Sequence, residues 1–88
     1  MDDFYNKAFE HLEEEIKDAC EYLKEAEAAE VDGKRYLADG MRRIAYDEYT
    51  HAHFLREYLM SKHDYHHHEK AHDIEEHWHK LTHKLFGE

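Results

Sequence analysis

The run Glu48-Tyr49-Thr50-His51 sets a carboxylate and an imidazole three residues apart. On a helix that step puts both side chains on one face, with Cβ atoms about 5–6 Å apart, so that both can reach one ion. Any acidic, histidine-rich helix contains such a pair by chance, and its surroundings are what give it weight. Glu48 and His51 interrupt an apolar stripe between Ala45 and Leu55, and Glu15 interrupts another between Leu12 and Ala19. A carboxylate on an inner face is costly unless a cation compensates it, and a metal ion is a compact way to do so. Glu15 precedes Glu48 by 33 residues with Gly33 near the middle, so a hairpin turning there brings both carboxylates to similar depth. The competing reading leaves Glu15 in solvent beside Glu13 and Glu14, and the paired geometry favours the inner one. Tyr22 stands seven residues after Glu15 on the same face. It is either a hydrogen-bond donor to a ligand carboxylate or a core tyrosine with its hydroxyl at the surface.

Eight of the eleven histidines lie from position 63 onward: His63, His66, His67, His68, His72, His77, His79 and His83. The four-residue steps His68–His72 and His79–His83 can chelate zinc, nickel or copper, or can simply form the polar side of a helix. The triplet His66-His67-His68 is internal and is not read as a purification tag. Cys20 and Ser61 have no identifiable base to activate them, and no glycine-rich phosphate loop occurs, so hydrolase and nucleotide-binding chemistry is set aside.

The elements that must position these groups are helices. The chain of 88 residues has no proline and three glycines, and Ala, Leu, Glu, Lys and Met fill long stretches that favour helix. A first helix is expected over about 3–30, with Phe4, Ala8, Leu12, Ala19, Tyr22, Ala26 and Ala29 on one face. Gly33 just beyond it marks a left-handed cap and a tight antiparallel turn. A second helix, about 34–62, carries Leu37, Met41, Ile44, Ala45, Ala52, Leu55 and Leu59. Gly40 inside it costs about 1 kcal/mol relative to alanine unless close packing compensates, which points to a near neighbour there. A shorter, histidine-rich third helix is expected over about 65–86 on the stripe Ala71, Ile74, Trp78, Leu81, Leu85. The fold class is all-α, in a single domain spanning 1–88.

Composition narrows the partners. A net charge of −10 repels phosphate backbones and anionic lipids, so neither nucleic acid nor membrane is expected, while divalent cations are attracted. A single cysteine excludes an intrachain disulfide and fits a reducing, cytoplasmic setting, and the acidic Met1-Asp2-Asp3 start has no apolar run behind it. At this length one chain buries a modest core, so a partner chain would help.

With these residues in view, the chain resembles rubrerythrin and other ferritin-like proteins. Glu15, Tyr22 and Ala26 stand at the spacings of a rubrerythrin first helix, Gly33 falls at its turn, and Glu48 and His51 fall at its second-helix ligands. The match covers roughly residues 8 to 60. The stretch Asp47-Glu48-Tyr49-Thr50-His51-Ala52-His53-Phe54-Leu55 is also similar to the encapsulated ferritins, single hairpins that assemble their site across a dimer. A complete ferritin-like site takes glutamates from two helices and Glu-x-x-His from two others, whereas this chain holds one of each. The resemblance therefore implies a homodimer, and conceivably a larger oligomer, closing a four-helix bundle around a di-iron site of Glu15, Glu48 and His51. It also implies ferroxidase or iron-handling activity. The chain lacks a second helix pair, a rubredoxin-like cysteine module and a recognisable shell-targeting tail. Carboxylates with imidazole suit iron or manganese, and zinc stays open. Two other readings stand beside this one: a non-enzymatic metal-binding or trafficking protein using the histidine-rich segment, and a plain helical interaction module.

Overall fold

A computed structural model describes residues 3–62 and 64–87, excepting the side chain of Asp3. His63 lies outside the described residues. The order is α1 (Asp3–Val31), α2 (Arg35–Met60), a 3-10 turn at Tyr65–His67, and α3 (Ala71–Phe86), so the chain is all-helical as expected.

The turn between α1 and α2 is the one the glycine foretold. Gly33 sits at φ 78°, and the amides of Lys34 and Gly33 donate to Ala29 and Glu30 at 2.8 and 3.0 Å. This pattern is a Schellman motif, which satisfies carbonyls the helix end would leave unpaired. The two helices then run back to back on small residues. Ala38, Ala45, Ala52 and Leu59, seven apart on α2, are buried, as are Leu12, Ala19 and Ala26 on α1. A seven-residue period keeps one seam facing the partner helix along its length, and alanine lets the backbones approach.

The expectation of helix from about residue 65 is corrected: α3 begins at Ala71. His68 has extended backbone, with ψ 139°, and its Nδ1 accepts the Lys70 amide at 3.1 Å. A side chain that captures a neighbouring amide offers the backbone an alternative to the helix. The detour turns Tyr65 fully into the core, where its ring stacks on Phe9 at 5.7 Å. The expected neighbour at Gly40 is also corrected, because a Cβ there would meet nothing within 4 Å.

The third helix lies across one flank of the hairpin. Its stripe Ala71, Ile74, Trp78 and Leu81 is buried with Phe9, Leu12, Ile16 and Ala52. Arg56 donates two hydrogen bonds to Glu75, from Nε at 2.8 Å and Nη2 at 2.6 Å, and Tyr65 donates a third at 2.7 Å. Trp78 stacks on Tyr49 at 5.2 Å, with the Arg56 guanidinium 5.1 Å from the Trp78 ring. The Arg56 pair holds Glu75 below its usual range, and burial followed by the bond to Glu75 pushes the Tyr65 hydroxyl well up.

The opposite flank has no covering helix. Phe4, assigned above to the buried stripe of helix one, is 78 % exposed, and Leu37 and Ile44 of the helix-two stripe are 45 % and 41 % exposed. These residues fail to be buried because α3 occupies the other side of the hairpin. The molecule measures 49 × 23 × 16 Å with a radius of gyration of 14.4 Å, against about 12 Å for a compact domain of this length. It is a slab with one finished face. No helix of the described residues is long and apolar enough to cross a membrane.

Candidate metal centre

The open flank carries the three residues singled out in the sequence. Residues 37, 41, 44, 48, 51 and 55 follow the three- and four-residue steps of a single face of α2, while Tyr49, His53 and Arg56 point to α3. Glu48 and His51 thus stand in the middle of an apolar stripe whose Leu37 and Ile44 are exposed, while Leu55 packs against the core. From α1, Glu15 reaches the same place, since the alanine seam sets its height opposite Glu48.

The three side chains meet. One ligand atom from each of Glu15, Glu48 and His51 lies within 4.8 Å of the others, and among the described residues no other cluster of this kind occurs. His51 Nδ1 approaches Glu15 Oε2 to 3.4 Å, with the His51 side chain 60 % exposed and that of Glu15 25 %. Glu15 Oε2 is itself buried and has no hydrogen-bond partner. An unsatisfied buried carboxylate oxygen is costly, and each such atom in a folded protein calls for an explanation.

Glu48 is the second sign of stress. The hydrogen bond it shares with Glu15, then burial, then the Glu15 charge raise its carboxyl to about 7, against a smaller opposing pull from His51. A carboxylate this close to another ionises less readily, so Glu48 keeps its proton to higher pH unless a cation compensates the pair. The donor set of oxygens with one exposed imidazole fits a hard or borderline divalent ion. Its exposed side leaves the ion's remaining positions open.

No family model, no curated protein and no solved structure matches this chain.

Tyr22 is half-buried on α1 and, among the described residues, hydrogen-bonds none of the three. His11, one turn before Glu15, lines a cleft of about 400 Å³ with Phe4, Ala8, Phe54, Leu55 and Tyr58. Cys20 lines a separate cleft between α1 and α3 with Ile16, Ile74 and His77. Burial is the largest influence on its thiol and pushes it up, which disfavours the reactive thiolate.

Proposed function

We propose that Glu15, Glu48 and His51 form half of a dinuclear metal site, that a second copy of the chain completes it, and that its cargo is iron, taken up as Fe(II) and oxidised. The observation that carries this reading is the convergence of the three side chains, with a buried Glu15 oxygen that makes no hydrogen bond, on the flank α3 leaves open. A twofold axis on that flank brings together four glutamates and two histidines, the ligand complement of a ferritin-like di-iron site. The same contact buries Leu37 and Ile44, which otherwise leave apolar surface in water.

In this reading Glu15 and Glu48 of both chains bind and bridge the ions, and each His51 caps one. Bound Fe(II) supplies electrons to dioxygen or a peroxide. The chain supplies the spacing, and Glu48 gives up its proton as the cations arrive. The acidic surface raises the local concentration of Fe(II).

The test is Glu48→Gln and His51→Ala in protein purified without a metal-affinity tag. Both variants are expected to keep helix content and dimer mass while losing Fe(II) oxidation. Undiminished oxidation in either variant removes this assignment.

A further inference from the structure

The open flank differs from one end to the other. On α1 a single face, in steps of four, four, three, four and three residues, carries Lys7, His11, Glu15, Asp18, Tyr22 and Glu25. Lys7, His11, Asp18 and Glu25 are exposed. The hydrogen-bond donors Lys7 and His11 precede Glu15, and the acceptors Asp18 and Glu25 follow it.

The apolar groups divide in the same way. At one end Phe4 and His11 of α1, with Phe54, Leu55 and Tyr58 of α2, line the cleft of about 400 Å³, and Phe54 is 69 % exposed. At the other end α2 presents Leu37, 45 % exposed. Phe4 stands eleven residues before Glu15, and Leu37 stands eleven before Glu48. The two helices run antiparallel, and Glu15 meets Glu48. Cleft and Leu37 therefore lie at equal distances, about 16 Å, on opposite sides of the ligands.

We infer that the second copy docks antiparallel, about a twofold axis perpendicular to the helices at the level of Glu48, with its Leu37 in the cleft between Phe54 and Tyr58. This rests on the shared-site reading above and fixes the partner's orientation within it. Such an axis exchanges the two ends of the flank, so a residue before the ligand level faces one after it. Lys7, eight residues before Glu15, comes within two residues of the level of Glu25 in the second copy, ten after; that is about 3 Å of helix rise. His11, four before, comes within one residue of the level of Asp18, three after. Donors meet acceptors, and each pair occurs twice by symmetry.

The alternative twofold axis, parallel to the helices, sets Lys7 on Lys7 and each carboxylate on its own twin. It also leaves cleft facing cleft and Leu37 facing Leu37. Exposed ion pairs are individually worth little, but the sign of the contact discriminates between two ways of docking one surface, because like charges brought together are costly.

The experiment places a spin label on α1 of tag-free protein, through Ala28→Cys in a Cys20→Ala background, both metal-free and loaded with Zn(II). The distance between labels is read by double electron–electron resonance. Ala28 is exposed and thirteen residues beyond Glu15, so antiparallel copies hold the labels about 40 Å apart, and parallel copies bring them within about 20 Å. Sedimentation then follows the dimer at low salt. Lys7→Glu and Glu25→Lys are each expected to weaken it about tenfold, and the double variant to return within about twofold of the wild type. Leu37→Asp is expected to weaken it with helix content retained. A dimer with the short label distance, or a double variant weaker than either single one, overturns the antiparallel docking and leaves the shared site standing. A monomer in both metal states removes both. An antiparallel dimer whose iron uptake ignores Glu48→Gln keeps this docking and removes the metal reading.

Discussion

Glu48 sets how the metal-free chain responds to pH. Its folded pKa, near 7, lies above the ordinary value of 4.5, so the folded chain holds this proton more tightly than the unfolded one. By linkage, stability falls as pH rises between about 4.5 and 7, the window in which the folded state alone keeps the proton, and the penalty is complete above it. Glu48→Gln removes the like-charge repulsion while keeping a hydrogen-bond donor to Glu15. Without metal, that variant is expected to melt a few degrees above the wild type at pH 8, and level with it near pH 4, in thermal unfolding followed by circular dichroism. A variant that melts lower at pH 8 would show that the pair is not strained. Metal affinity should rise with pH through about 7, because a bound ion must displace the Glu48 proton. The three converging residues were legible in the sequence from their interruption of apolar stripes. The buried Glu15 oxygen without a hydrogen bond and the raised Glu48 carboxyl were not, since both depend on placement across two helices.

At the scale of elements, the two helical-hairpin glycines make opposite demands. Gly33 occupies the left-handed region, so Gly33→Ala is expected to cost about 1 kcal/mol in denaturant unfolding. Gly40 is in ordinary helix with open space where a Cβ would stand, and Gly40→Ala is expected to stabilise by up to about 1 kcal/mol. A loss there would mean that a close neighbour, such as a second chain, occupies that space. The Arg56–Glu75–Tyr65 network ties α3 to the hairpin with side chains 17 % and 23 % exposed for the charged pair. Glu75→Ala leaves Arg56 and Tyr65 unpaired, and is expected to cost about 2–3 kcal/mol, read in the same unfolding measurement. Helix periodicity revealed α1, α2 and the inner stripe of α3. It missed Phe9 and Ile16, which serve α3 rather than the α1–α2 seam, and it extended α3 through residues 65–70. There the bond from Lys70 to His68 and the burial of Tyr65 override a helix-favouring composition.

The whole molecule is a slab whose one flank is finished by α3 and whose other carries exposed apolar residues around the Glu15–Glu48–His51 group. Sequence reasoning placed Leu37, Ile44 and Phe4 in a core because periodicity reports that a face is apolar and does not report what covers it. The number of ligands per chain argued for a second copy, and the exposed stripe around Glu48 and His51 gives that copy a surface. Ile44→Glu, one turn before Glu48, is expected to convert the dimer to monomer in light scattering while retaining helix content. A dimer that persists places the interface elsewhere.

The central proposal is a shared dinuclear centre, and anaerobic reconstitution of tag-free protein with Fe(II), measured as iron content together with particle mass and followed by an air pulse, tests it most directly. About one tightly held iron per chain, in a dimer or a multiple of it, with a rapid ferric absorbance lost in Glu48→Gln, is the expected result. A monomer, or iron uptake that Glu48→Gln and His51→Ala leave unchanged, would contradict it.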